Sequence, residues 1–256
     1  MFYSKSLKKN SNFKHCFFSR NNGISKGIYE SLNCGLGSKD QKSNIKKNLD
    51  IVAKKFDMDS KLLVLMNQTH SNKVVFIEDN INLKRINSDA MLTKNSSIAL
   101  GVLTADCAPI LFFEQKEEIA GCIHAGWKGA INGVIENTLM KLREIGGNPE
   151  ELVVCIGPCI GKQSYEVKED FYSIFKNKFK ENDSFFTRKD KKTFNFDLRG
   201  FVNKKFKNFG VSEIDNILID TFATKNEYFS HRRAKKLKEN DYGRCISVIK
   251  KTSSQN

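Results

Sequence analysis

Between residues 62 and 123 the chain is built from short apolar blocks, and blocks of this length bounded by turn residues predict buried β-strands. Strands are expected over 62–66, 74–78, 90–92, 98–103, 110–113 and 119–123, with others over 16–19, 152–156, 217–220 and 245–249. Helical spacing takes over elsewhere. From Ser43, a candidate N-cap, Ile45, Leu49, Val52, Ala53 and Phe56 define one apolar stripe. A second runs through Ile131, Val134, Ile135, Leu139, Leu142 and Ile145 to Gly146 and Gly147, and a third through Val167, Phe171, Ile174, Phe175 and Phe179. Asp197 is placed to cap a fourth, with Leu198, Phe201, Val202, Phe206 and Phe209, which Gly210 ends. RNNGISKGIYESLNCGLGSKD predicts a long loop, and the polar stretch 180–192 a surface loop. No linker or repeat divides the chain. The fold class expected is α/β, a mixed α+β sandwich in one domain over 1–256, with a mixed β-sheet flanked by helices.

Composition narrows the setting. A chain of 256 residues with 39% hydrophobic content can fill a substantial core. The first twenty residues lack a sustained apolar segment followed by small residues, and no later stretch approaches membrane-spanning length, so cytoplasmic residence and no membrane partner are expected. Seven cysteines, odd in number and irregular in spacing, predict reduced thiols. Forty-three basic against twenty-nine acidic side chains give a formal charge of +14, which raises the question of a nucleic-acid partner. The basic residues are spread over polar faces, however. The exceptions, RRAKKLK and the pair Lys191 and Lys192, lack interleaved aromatics, so solvated charge is the reading and no nucleic-acid partner is expected.

Chemistry concentrates at His70, Cys107 and His124, which close or follow apolar runs in LVLMNQTH, ALGVLTADC and AGCIHAGWKG. Two imidazoles and a thiolate suit a zinc ion that keeps one coordination position open. With no CxxC or HxxxH spacing, the fold itself would have to gather them. Isolated His and Cys near strand ends are also common as satisfied core or rim residues, yet each of these sits at a strand-to-loop transition beside polar or glycine residues. Two rival readings use the same chain. In one, Cys107 is a metal-free nucleophile with His124 or His70 as its base. In the other, the protein is a non-catalytic basic module that recruits RNA or an acidic protein. Gly126 and Gly129 precede or open a helix, where backbone N–H groups could hold an anion and a ligand could approach closely. Trp127, the only tryptophan, is placed either to stack a planar ligand ring or to pack beneath that helix.

The segments SRNNGISKGIYESLN, NQTHSNKV, SDAMLTKNSSIALGVLTADCAPILF, GCIHAGWKGAINGVIENTL, IGPCIGKQSYEV and YFSHRR together resemble the laccase-domain proteins, described first as multicopper polyphenol oxidases and later as purine nucleoside phosphorylases. The resemblance implies an α/β sandwich related to toxin domains with a Cys-His hydrolase site, and His70, Cys107 and His124 as zinc ligands. It implies phosphorolysis of adenosine, inosine and methylthioadenosine, with adenosine deamination alongside; the partners are then purine nucleosides and phosphate. Copper is the less suitable metal, because laccase chemistry needs a multi-histidine cluster and the chain has four histidines. Asp106 and Glu166 are the candidate proton shuttles for such a reaction. Arg20 and the AGWKG backbone are candidates for phosphate, and Asn33 and Gln68 for substrate. Two departures stand out: AKKLKENDYGR is inserted after SHRR, and His231 occupies a position where an aromatic residue is usual.

Overall fold

Two β-sheets packed face to face, each covered on its outer side by helices, account for apolar blocks that show no alternation. The computed structural model describes residues 1–78, 86–178 and 180–252. The smaller sheet takes β1 (Phe13–Phe17), β2 (Leu63–Leu65), β5 (Ala99–Thr104) and β13 (Cys245–Lys251) in the order β1-β13-β5-β2. The larger takes β3 (Val74–Ile77), β4 (Ala90–Thr93), β6 (Ala108–Glu114), β7 (Ile119–Ala125), β8 (Leu152–Ile156) and β12 (Glu213–Asn216) in the order β12-β8-β6-β7-β4-β3. Both are mixed: β2 runs parallel to β5, and β12 and β3 run parallel to their neighbours, while the remaining ladders are antiparallel. A third, antiparallel sheet of β9 (Glu166–Lys168), β10 (Phe186–Arg188) and β11 (Thr193–Phe196) has the order β10-β11-β9.

Strand β6 explains the layering. Every residue of it is buried. Leu111 and Phe113 turn into the sandwich, where Phe113 stacks on Phe13 of the opposite sheet at 4.6 Å. Ile110 and Phe112 turn outward beneath α3 (Val134–Glu144) and α5 (Leu198–Lys207), against residues such as Leu139, Leu142, Phe201 and Phe206. On the far side, Val52 of α1 (Lys42–Lys54) and Phe56 cover Leu63, Leu103 and Val248. Truncating a ring such as Phe112 to alanine in a layer this full costs about 3–5 kcal/mol. Helix α4 (Glu169–Lys178) brings Phe171 and Phe175 onto Phe196. No helix among the described residues is long and apolar enough to cross a membrane.

Several boundaries differ from the sequence pattern. The stripe from Ile131 to Ile145 is two helices, α2 (Trp127–Ile131) and α3, because Gly133 takes φ +94° between them, a conformation that only glycine adopts at little cost. Val167 lies in β9, so the helix begins two residues later at Glu169; Ile174 is exposed and Phe179 falls outside the described residues. Gln41, not Ser43, occupies the N-cap of α1. The strand expected over 217–220 is β12, displaced upstream to Glu213–Asn216, and 180–192 contains a 3-10 turn and β10. RRAKKLK lies mostly within α6 (His231–Lys236). Asp197 does cap α5, accepting from Gly200 N at 2.8 Å.

Candidate metal centre

His70, Cys107 and His124 gather at one end of the sandwich, where β5 leaves the smaller sheet and β6 enters the larger after only three linking residues, Ala105, Asp106 and Cys107. Because β2 is parallel to β5, the loop that follows it, with His70, emerges at the same end. The β6–β7 register pairs Pro109 with His124 and Ala108 with Ala125, which brings the end of β7 beside Cys107. Chain topology thus collects three residues separated by up to 54 positions. One donor atom from each of His70, Cys107 and His124 lies within 4.8 Å of the others, and the two rings are 4.7 Å apart. A tetrahedral zinc with bonds of about 2.0–2.3 Å asks for donor spacings of about 3.5 Å, within reach of small side-chain rotations.

Gly126 gives a more specific sign that this corner is built around the cluster. A Cβ at that position would lie 2.5 Å from His70 Nδ1 and 3.0 Å from Cys107 Sγ. What approaches Gly126 closely is the donor set itself. Gly129 is buried with its Cα facing the Ser71 carbonyl, 2.9 Å from an added Cβ, and so seats α2 on the His70 loop.

Asp89 binds the halves of the site together, and the sequence reading missed it. The carboxylate is fully buried and its Oδ1 lies 2.8 Å from His124 Nδ1. It also accepts from His70 N at 3.0 Å, Ser71 N at 2.6 Å and Ser71 Oγ at 2.7 Å. Burial opposes its charge, but the bonds from His124 and Ser71 prevail and hold its pKa down at about 2. For His124 burial disfavours the imidazolium, yet its interactions with Cys107 and Asp89 outweigh it and raise the pKa to about 9. His70 is pushed down, first by burial and then by His124. His70 itself has φ +58°, and Asp106 φ +89°. Non-glycine residues in this region cost on the order of 1–3 kcal/mol and persist where surrounding bonds over-determine them.

Asp106 is so held. Its carboxylate accepts from Thr221 Oγ1 at 2.8 Å, Ser230 Oγ at 2.9 Å and Arg232 N at 2.7 Å, while burial raises its pKa. That arrangement ties the start of α6 to the residue preceding Cys107. Glu166, in contrast, stands apart from the cluster: it is exposed and ion-paired with Lys189. Alternation along β9 sends Glu166 outward, and the preceding Tyr165 takes the place in the cavity wall. Arg20 lies over Phe229 at 4.4 Å and donates to the carbonyls of Glu30 and Lys225, outside both cavities beside the cluster. Asn33 is fully buried and committed to Ser38, Asp40 and Gly35 within its own loop and to the Arg244 N–H from the segment before β13. Gln68 pairs with the Leu103 peptide, donating to its O at 2.7 Å and accepting from its N at 2.9 Å, yet still borders the site.

Two cavities meet at the cluster and share His70, Ala105, Cys107 and Tyr242 in their walls. The larger, about 410 Å³, adds Trp127, Tyr165, Ile160, Leu198, His231 and Arg232. Trp127, in the wall of the larger cavity, also packs on Phe171 at 4.7 Å. The smaller, about 230 Å³, is more polar, with Asn67, Gln68, Thr104 and Arg244. Arg244 belongs to the segment inserted after SHRR and was not singled out from sequence, where nothing distinguishes it from the other basic residues there. The remaining histidine, His15, is buried in β1 and accepts from Ser4 N at 2.8 Å, remote from the cluster in the fold.

Residues 14–252 match the family described as multi-copper polyphenol oxidoreductase laccase, and the chain belongs to it. Among its relatives, a Rickettsia conorii protein named purine nucleoside phosphorylase is 36% identical over 188 residues, covering 73% of this chain and 77% of its own. A Bacteroides thetaiotaomicron protein of the same name is 30% identical over 241 residues, 90% of this chain and 89% of its own. Of solved structures, a Neisseria meningitidis protein superposes with a TM-score of 0.85 at 27% identity, over 95% of this chain and 96% of that one. A Bacillus licheniformis protein does so with 0.86 at 25% identity, over 93% and 92%.

Proposed function

We propose that this protein is a zinc-dependent purine nucleoside phosphorylase that cleaves adenosine, inosine and S-methyl-5′-thioadenosine with phosphate, giving the free base and (methylthio)ribose 1-phosphate, with adenosine deamination as a side activity. The observation that carries the reading is the meeting of a larger, aromatic cavity and a smaller, polar one at His70, Cys107 and His124. The larger suits a purine against Trp127, Tyr165 and Tyr242. The smaller suits phosphate beside Arg244, whose guanidinium gives one N–H to the Tyr242 carbonyl at 3.1 Å and keeps others to offer. His70, Cys107 and His124 would hold the metal, and Asp89 would orient His124 and the His70 loop. A bound zinc supplies Lewis acidity and a water of lowered pKa, the latter suited to deamination. Zinc fits the donor set better than a laccase copper cluster, since among the described residues only two histidines join the site.

A second reading is favoured by one specific contact. Cys107 hydrogen-bonds His124, whose other nitrogen meets Asp89, the order of a nucleophile, base and orienting carboxylate. That would make the protein a metal-free thiol hydrolase. Incubation with adenosine, with and without phosphate, separates the outcomes. Adenine formed only with phosphate supports phosphorolysis, inosine formed in either case supports deamination, and adenine formed equally without phosphate supports the hydrolase.

A further inference from the structure

His231 lines the larger cavity, can carry a proton, and has ring nitrogens that no hydrogen bond engages among the described residues. It opens α6 between two residues pinned to Asp106: Ser230 through its hydroxyl at 2.9 Å and Arg232 through its N–H at 2.7 Å. Asp106 precedes Cys107, so the imidazole is fixed in register with the His-Cys-His corner. Its ring meets Tyr242 edge-on at 5.0 Å, and no hydrogen bond engages either ring nitrogen among the described residues. Several other cavity groups have employment: Asp106 serves three donors, His70 and Cys107 belong to the cluster, Arg232 donates to the Glu166 carbonyl at 2.6 Å, and burial raises the Tyr165 phenol far beyond use as an acid. Lys128 sits over Trp127 at 5.5 Å on the rim.

Resting on the phosphorylase reading, we infer that His231 is a catalytic residue, the acid that protonates the departing purine. A phosphate oxygen forms the new bond to C1′ as the C1′–N9 bond breaks and its electron pair passes to the purine. The His231 proton goes to N7 of the base. The phosphate releases a proton to solvent on becoming ribose 1-phosphate and the ring regains one from solvent, so protons balance over the turnover. In the free cavity, partial burial and the charges of Lys235, Arg232 and Arg244 favour the neutral ring, with His70 facing it across the cavity; Asp106 draws the proton back. A phosphate dianion held beside Arg244 in the adjoining cavity tips the balance toward the imidazolium.

The test compares inosine with 7-methylinosine, whose base already carries a fixed positive charge and leaves without a proton. For His231→Phe and His231→Asn, kcat on inosine falls by about 10²-fold or more, while kcat on 7-methylinosine changes by less than about threefold. Because both substrates are read on one variant, misfolding cannot imitate this split. Equal losses on the two substrates, or no loss on inosine, overturn the assignment and leave the phosphorylase reading standing. Failure of the unaltered protein to release base from either substrate in the presence of phosphate overturns both.

Discussion

Asp89 Oδ1 and His124 Nδ1 stand 2.8 Å apart in a fully buried contact, and the same carboxylate holds the backbone N–H groups of His70 and Ser71. One side chain therefore orients one ring of the candidate metal cluster, on a strand, and the loop that presents the second. Removing its charge while keeping its shape, as in Asp89→Asn, is expected to weaken zinc binding by about 10–100-fold. Competition against a chelator of known affinity measures this, and unchanged affinity would show that the carboxylate serves folding alone.

Gly126→Ala separates the backbone from the site. Its φ of −74° suits any residue, so the chain tolerates the change, but the added methyl lies 2.5 Å from His70 Nδ1. Loss of bound metal with a Tm close to that of the metal-free parent is the expected outcome. A variant that keeps full metal content would refute the close packing described for this corner.

Asp106 is predicted to act by position. In Asp106→Ala the Thr221 and Ser230 hydroxyls and the Arg232 N–H lose their acceptor, at a cost on the order of 3 kcal/mol in unfolding free energy. Asp106→Asn retains an acceptor and costs less. Denaturant titration checks the order, and metal content stays near that of the parent in both.

The metal-free protein should show a definite pH dependence. His124, raised to about 9 in the fold from an unfolded value near 6.5, stabilises fully below about pH 6.5 and loses that contribution as pH rises through 9. Asp89, lowered to about 2, stabilises above about pH 4 and loses its contribution as pH falls toward 2. Zinc must displace the His124 proton, so its apparent affinity should rise about tenfold per pH unit between 7 and 9 from this group alone. Thermal melts with and without zinc across that range test both statements: the gap between the two Tm values widens as pH rises.

The three metal-binding candidates were legible because His and Cys at strand ends carry their chemistry in their type. Asp89 was not, since an aspartate opening an apolar strand looks like any turn residue until the 68–71 loop folds onto it. Asn33 and Arg20 were marked as substrate contacts, yet their partners are backbone and side-chain atoms of neighbouring loops, which a linear reading cannot see. Gly133 followed Asn132, a turn signal outweighed by the apolar stripe around it, and the stripe alone predicted one continuous helix. β12, partly exposed with the sequence EIDN, carries little apolar pattern because it is an edge strand fixed by parallel pairing with β8.

Metal content measured together with turnover tests the central claim most directly. The purified protein is expected to hold one zinc per chain, to lose phosphate-dependent release of purine base when the metal is stripped by exhaustive chelation, and to regain it when zinc is restored. Full phosphorolysis by protein shown by elemental analysis to contain no metal would contradict the account and transfer the chemistry to the Cys107 thiol.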